Sequence, residues 1–577
     1  MNRIFTNSIW YERIVSFLCV LLICALISVE FAHSLKFGWH TVFDDAFISF
    51  RYARNLAEGF GITWNASGTP VEGYTNFLLV VCLAPFIWLG ASPLTVTRVL
   101  SYAALAGISL IVYRKARNEC GMSRFTSFLV SIIPFIVPDS KQICLLGLET
   151  VIYSFFLLLS FRNAIKFLDT FDAQTGRRFA ILTFLTALLR PEVVILFITV
   201  GCMGLVRAHT KDFKFQLRPL VAASSTFLIC VSAYLLWKFS HFGSLLPNPF
   251  YLKAATSSFV MRRGLDSVTN FFVSNTLIIF FMFLACILGV GLQDSLNAKQ
   301  RLKRFVGPLF VCFMVLFFLR VDTLMDFNGR FLFPMIPIVV YAGVPCWAFV
   351  LGSALNVNVK LLARVVLTLL FVSLFNSKLL FDVPGKLSAL YYQQVTYDRG
   401  LMLQEYRIAK NLAKFKDIRG VKIAFGDAGV IPYFTQAQWL DFSGLNDRFI
   451  ATHKNLPDLV NYVFEWTPDL IITASNKNLT WVGYGHGGMG NFPAWAQDPR
   501  WDDFIYVATT PVEGPIYDLQ YFIRKGSPYY TTLAPFIREQ VAEGWYTQFP
   551  IQIGTYTPIN GAAASWVSRG GVTSDIN

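Results

Sequence analysis

Long apolar runs recur along the first two thirds of the chain, separated by short polar stretches. They fall at about 13–34, 74–90, 94–113, 125–137, 149–168, 179–189, 193–206, 219–239, 269–292, 306–320, 331–350 and 360–380. About twenty consecutive apolar residues in a helix cross a hydrocarbon core, so the pattern predicts a polytopic α-helical membrane protein. Beyond residue 381 the pattern changes. Short apolar segments such as VKIAFGD (421–427) and DLIITAS (469–475) alternate with helix-like stretches, which is the signature of a small α/β domain. The expected organisation is a membrane domain over 1–380 and an α/β domain over 381–577. The last twenty or so residues, rich in Gly, Ala, Ser and Thr, are expected to form a loosely ordered tail.

The basic residues orient these runs. Arg114, Lys115, Arg117 and Arg124 form one cluster, Arg177 and Arg178 a second, the stretch Arg207–Arg218 a third, and Lys299–Arg304 a fourth. Loops rich in Lys and Arg stay on the cytoplasmic side. With the N-terminus inside and all twelve runs crossing, every cluster falls outside; removing one early run places all four inside. The run 74–90 is short, carries Pro85 and opens on polar Tyr74, Thr75 and Asn76. It reads as an interfacial or re-entrant helix on the outer side. About eleven transmembrane helices then remain, with the first outer loop at 35–93 and everything after 381 extracytoplasmic. The short runs 125–137, 179–189 and 193–206 read as broken helices or helices buried in the bundle.

Composition agrees with this class. Hydrophobic residues make up 55% of the chain and charged ones 15%, against about a quarter charged in soluble domains. The net charge of +14 therefore reports orientation in a bilayer, and no nucleic-acid partner is expected. The ten cysteines show no CxxC and no Cys/His ligand spacing, so neither a disulfide framework nor a structural zinc site is expected. No cleavage pattern follows the first apolar run, which reads as a retained helix. No P-loop, GxSxG or HExxH string occurs.

Polar residues that can do chemistry gather in the loops assigned to the outer face. Asp44 and Asp45 open a predicted helix over 44–58. Ionised carboxylates are costly near a bilayer and point to function. One of them can cap the helix, and the other can act as a general base toward a hydroxyl; the sequence leaves open which does which. Glu72, Tyr74 and Asn76, at the entry to the re-entrant run, suit sugar hydroxyls and rings, or simply start a helix. Arg190, in the turn Arg190-Pro191-Glu192, either pairs internally with a glutamate or clamps a phosphate ester. His241 and Lys253 flank Pro247-Asn248-Pro249 and can reach an anion, with Asn248 available to a sugar. Asp322, Asp326 and Arg330 precede an apolar run. Arg330 is a further phosphate candidate, the two aspartates are sugar candidates, and Asp326 with Arg330 has the i, i+4 spacing of a local ion pair. Glu149 opens another helix and complements its dipole, or joins the sugar site. This set suits transfer from an anionic, lipid-linked donor to a hydroxyl acceptor, with Arg and Lys stabilising the departing phosphate.

The strings DDAFISFRYARNLAEGFGITWN, VEGYTNF, GLET, LLRPE, FGSLLPNPFYLKA, MDFNGRFLFPMIP, GDAGVIPYF and LDFSGLNDRFIA resemble the GT-C-fold membrane glycosyltransferases. Within that fold they are most similar to the mycobacterial terminal β-(1→2)-arabinofuranosyltransferases and their bacterial relatives. The resemblance spans roughly residues 40–450. It implies a GT-C-like catalytic domain in the bacterial inner membrane with its site on the periplasmic side. It also implies a polyprenyl-phosphate sugar donor, arabinofuranose among the options, inverting chemistry, and a glycan, glycolipid or glycoprotein acceptor. An aspartate of the first outer loop serves as base in that family, which carries over to Asp44 or Asp45. Phosphate binding carries over to Arg190 and Arg330. No cofactor is expected, and a divalent metal is left open. A lipid-linked saccharide flippase and a non-catalytic polysaccharide-assembly scaffold are the competing readings. A transporter would show ionisable groups at mid-membrane in two related halves, and no internal repeat is visible in the sequence.

Overall fold

The structure is a computed structural model. It describes residues 42–137, 140–209, 213–253, 258–274, 298–321, 326, 329–352, 405–453, 455–475, 498–511 and 518–542. The principal helices in chain order are α1 (Asp44–Ala57), α2 (Phe77–Trp88), α3 (Pro93–Arg114), α4 (Thr150–Thr170), α5 (Ala173–Ala187), α6 (Val194–His209), α7 (Phe213–Phe242), α8 (Ala298–Phe318), α9 (Met335–Gly352), α10 (Val430–Thr435) and α11 (Leu456–Glu465). Five strands lie in the C-terminal part: β1 (Lys422–Phe425), β2 (Gln438–Asp441), β3 (Leu470–Ser475), β4 (Phe504–Pro511) and β5 (Asp518–Arg524).

The chain divides into two compact units. One contains 97–233 and 256–388, together with the first 41 residues; the other contains 42–96, 234–255 and 389–577. The hydropathy pattern placed the cut after residue 380. The structure instead groups residues 42–96 with the C-terminal segment, and hydrogen bonds explain why. Within this second unit, Arg51 on α1 donates from Nε to Trp64 O at 2.8 Å, from Nη2 to Ala437 O at 2.9 Å, and from Nη1 to Pro432 O. Its guanidinium also lies 4.5 Å from the Trp64 ring. Asn65 adds a bond from Trp439 N at 2.9 Å and one to Trp439 O at 3.0 Å. Polarity along a loop is visible in a sequence, whereas the partner 370 or more positions away is not.

Among the described residues of the helical unit, the stretches Pro93–Glu119 and Thr150–Thr170 are long and apolar enough to cross a membrane, and Leu217–Phe242 is a third such stretch. The expected runs 13–34 and 360–380, and most of 269–292, lie outside the described residues. α2 has 12 residues, about 18 Å of helix, which is shorter than a hydrocarbon core of about 30 Å. The run 125–137 is interrupted: one helix ends at Ser131 and a short turn of helix follows over Ile133–Ile136. Between α5 and α6, Arg190 has extended backbone (φ −155°, ψ 128°) and a 3-10 turn spans Pro191–Val193. Proline lacks an N–H and disfavours helical backbone in the residue before it, so the chain breaks here and turns Arg190 out of the helix.

The sheet of the second unit has the order β2-β1-β3-β5-β4. β1 runs parallel to both β2 and β3, whereas β5 is antiparallel to β3 and to β4. Its core packs Leu459, Val463 and Phe464 of α11 with Ala424, Leu440, Ile471, Trp501 and Phe522. β1 and β2 end at Phe425 and Asp441, so Asp427 and Asp441 stand at the carboxyl ends of neighbouring parallel strands. In open α/β sheets that edge is where ligands gather.

Candidate active site

Asp44 and Asp45 are the first two residues of α1, and its N-cap position is Phe43, without a side-chain cap. The capping role expected of one aspartate falls on a different helix: Val430 N, at the start of α10, donates to Asp44 Oδ1 at 2.8 Å. Gly429 makes this approach possible, because a Cβ there would overlap the Asp44 carboxyl group. Asp427 follows β1 by two residues, and Glu405 sits in helical residues 405–412 with Ile408, Ala409 and Leu412 buried beside it. Carboxylate oxygens of Asp44, Glu405 and Asp427 all lie within 4.8 Å of one another.

Three carboxyl groups so close cannot all ionise without compensation. The Asp44 carboxyl holds its proton well above the usual aspartate range. Burial is the main cause, followed by the charge of Asp427 and a hydrogen bond to its carboxyl group; the Val430 N–H pulls the other way, and Asp45 adds a smaller repulsion. Such a cluster can share protons or hold one hard cation, since oxygen ligands at 2.0–2.6 Å from Mg²⁺ or Ca²⁺ span about this width. A carboxyl with raised proton affinity is also a stronger base once ionised.

The segment 72–76 lies in the same unit. Glu72 Oε2 is 2.7 Å from Lys238 Nζ, with both side chains buried. Burial raises the Glu72 carboxyl and Lys238 draws it back. Gly73 N donates to Tyr52 Oη at 3.0 Å, and Tyr52 Oη donates to Val71 O at 2.9 Å or Asn446 Oδ1 at 3.1 Å. Asn446 is in turn fixed by Asp441, which accepts from Asn446 N at 2.9 Å and from its Nδ2 at 3.0 Å. Asn76 Oδ1 accepts from Ser49 Oγ at 3.0 Å. Asn248 N donates to Glu72 O at 2.9 Å. His241 Nε2 lies 3.2 Å from Ile62 O and its ring stacks 5.4 Å from Trp237, an anchoring role within the unit. Lys253 ends a short helix over Asn248–Lys253.

The other candidates belong to the helical unit. Arg190 Nε is 2.9 Å from Glu149 Oε1, and its Nη1 is 3.6 Å from Glu192 Oε1. The internal Arg–Glu pairing weighed from the sequence is therefore present, with Glu149 as well as Glu192. Glu149 stands at the N-cap of α4 without a side-chain capping bond and serves Arg190 instead. The Arg190 guanidinium lies 5.1 Å from the Phe331 ring, as does that of Arg330. Asp326 accepts from Phe331 N at 2.9 Å and from Ser267 Oγ, so it closes the turn before α9. Asp322 lies outside the described residues.

Glu405, Asp427, Lys238 and the pair Asp441–Asn446 are additions that sequence reasoning missed. For Asp427 a signal existed: Gly-Asp-Ala-Gly directly follows an apolar strand and precedes a helix, so it marks a parallel-strand carboxyl end. Lys238 is hidden in an apolar run and has no comparable signal.

Residues 390–531 match a domain family described as a domain of unknown function (DUF8728). No curated protein matches the chain. Among solved structures, the chain is similar to ArnT from Cupriavidus metallidurans bound to undecaprenyl phosphate. The identity is 14% and the TM-score 0.50, over 87% of this chain and 97% of that one. Apo ArnT from the same organism gives 12% identity and a TM-score of 0.48, over 87% of this chain and 98% of that one. The first of these likenesses shows an ArnT-like fold. With its long apolar helices, the chain has the character of a membrane protein.

Proposed function

We propose that this protein is a membrane glycosyltransferase that moves a sugar from a polyprenyl-phosphate donor to a hydroxyl acceptor at the outer face of the inner membrane. The observation that carries the reading is the enclosure of the Asp44 carboxyl with Asp427 and Glu405 in a chain of ArnT-like fold. The ArnT structure holds undecaprenyl phosphate, which supports a donor of that class here. Asp44 is the base in this reading, because its carboxyl is the one gathered with Asp427 and Glu405 and held by the Val430 N–H.

The step balances as a single displacement. The bond between the anomeric carbon and the phosphate oxygen breaks, and its electron pair leaves with the polyprenyl phosphate. The acceptor oxygen attacks the opposite face of the anomeric carbon, and its proton passes to Asp44. Configuration inverts. The sequence resemblance carries phosphate binding over to Arg190 and Arg330. Arabinofuranose is the sugar favoured by the sequence resemblance, and a surface glycan, glycolipid or glycoprotein is the acceptor.

The test is sugar release by the full chain in native membranes against a panel of polyprenyl-phosphate sugars. Turnover with at least one donor is expected, with loss of that turnover in the double variant Asp44→Asn, Asp45→Asn. Full activity in the double variant would move the chemistry elsewhere. Absence of turnover with every donor would favour a transport or scaffold role.

A further inference from the structure

Around Glu72 the second unit buries more polar groups than it pairs. Glu72 and Lys238 form an ion pair at 2.7 Å, each side chain 5% exposed. Next to them, Tyr74 Oη and Asn248 Nδ2 are buried and have no hydrogen-bond partner among the described residues. The two belong to adjoining segments, because Asn248 N donates to Glu72 O at 2.9 Å. Native structures pair almost all buried polar atoms, so two groups beside one carboxylate, unpaired among the described residues, are available to a bound ligand.

The surroundings select its chemistry. Lys238 neutralises Glu72, so the segment carries no net charge to attract a phosphate or an ammonium. What remains is a phenol that can donate and accept, an amide that donates, and aromatic surface. The Tyr74 ring packs against Tyr52 at 4.7 Å, and Phe77 packs against Tyr234 and Trp237 at 5.2 and 5.1 Å. Hydroxyl groups with an apolar ring face match that set. The segment is also held in advance. Gly73 N is bonded to Tyr52 Oη, and a Cβ on Gly73 would overlap the Asn446 side chain, so there is little ordering left to do on binding.

We infer that Tyr74 and Asn248, steadied by the Glu72–Lys238 pair, bind a neutral sugar ring. The inference rests on the glycosyltransferase reading for its substrate class, and the ring is either that of the donor or that of the acceptor.

Saturation-transfer NMR on the full chain in nanodiscs, with methyl pentosides and methyl hexosides at millimolar concentration, tests this directly. At least one glycoside is expected to give a signal, and Tyr74→Phe or Asn248→Ala is expected to weaken its binding about tenfold, the order of one lost hydrogen bond. Tyr74→Phe keeps the ring and removes only an unpaired hydroxyl, so its thermal midpoint should stay at or above that of the parent chain; Asn248→Ala is the second variant should it shift. A signal displaced by a polyprenyl-phosphate sugar places the ring on the donor side, and one that persists places it on the acceptor side. No signal from any glycoside, or an equal signal in both variants, overturns the inference. Turnover without Tyr74-dependent glycoside binding removes this subsite and leaves the transferase standing. Tyr74-dependent binding without turnover on any donor does the reverse.

Discussion

Asp44 Oδ1 accepts the backbone N–H of Val430 at 2.8 Å, across 386 positions of chain. The first-loop aspartate is thus seated by a helix start in the C-terminal segment, where it meets Asp427 and Glu405. Asparagine at position 44 can still accept that N–H bond but cannot take a proton. Asp44→Asn is therefore expected to lower turnover by about 10²–10⁴-fold, the usual contribution of a general base. The unfolding midpoint should hold, because asparagine is neutral like the proton-holding carboxyl and its Nδ2 can keep a hydrogen bond to Asp427. Sugar-release rates and denaturation of the same preparation check both halves. A variant that loses activity only in proportion to lost folded protein would argue against the base assignment.

Gly429 tests the same seat from the other side. A methyl group there would occupy the space of the Asp44 carboxyl. Gly429→Ala should displace that carboxyl and reduce turnover toward the level of Asp44→Asn while all titratable groups remain in place. Combining the two substitutions should cost little more than either alone, since both act on one carboxyl group. Additive losses in a double-mutant cycle of rates would show that Gly429 acts through something other than Asp44.

Arg51 shows how the first loop and the C-terminal segment come to share one unit. Its guanidinium reaches Trp64 O, Asn65 Oδ1, Pro432 O and Ala437 O at once. Lysine keeps the charge but has no planar fork to reach these acceptors together. Arg51→Lys should destabilise the chain by about 2–3 kcal/mol through buried carbonyls left unpaired. The measurement is the shift in denaturant midpoint of the full chain. A shift within about 0.5 kcal/mol, typical of surface substitutions, would mean that water replaces these bonds without penalty.

Where the sequence could be read and where it could not follows from what each signal depends on. The run 74–90 was legible as a short helix because length and Pro85 are local properties, and α2 covers 12 residues. Asp44 was legible as a candidate because a carboxyl pair beside apolar runs is costly wherever it lies. Its neighbours Glu405 and Asp427 were not, since each looks ordinary in its own segment and only tertiary folding makes three carboxyl groups coincide. Arg190 was legible as a charge needing a partner, but Glu149 as that partner was not. The partner lies 41 positions earlier, at a helix start where a carboxylate already had a sufficient local explanation. Lys238 was invisible for the opposite reason: a lysine inside an apolar helix reads as a nuisance until Glu72 is found against it.

Asp441 offers a pH-dependent test of the network that holds residues 72–74. It is fully buried at the end of β2 and accepts bonds from Ser443 N, Ser443 Oγ, Asn446 N and Asn446 Nδ2. Burial pushes its carboxyl up to about 6 against the pull of these donors. The folded chain therefore holds this proton more tightly than the unfolded chain, whose aspartate titrates near 3.9. The stability linked to Asp441 is complete below about pH 3.9 and declines as pH rises through about 6, by on the order of 3 kcal/mol in total. Asp441→Asn cannot titrate, so the parent chain's stability advantage over it should shrink between about pH 4 and pH 8. Denaturant midpoints of both proteins across that range give the result, and a gap that stays constant or widens with pH would refute the shift. The consequence should also reach activity. Asp441 fixes Asn446, Asn446 meets Tyr52 Oη, and Tyr52 receives Gly73 N, so loosening Asn446 loosens the segment that presents Tyr74. Asp441→Asn should therefore raise KM for one substrate by several-fold at neutral pH, with a smaller change in kcat. An equal fall in kcat at constant KM would instead place the effect on Asp44 and its carboxyl neighbours.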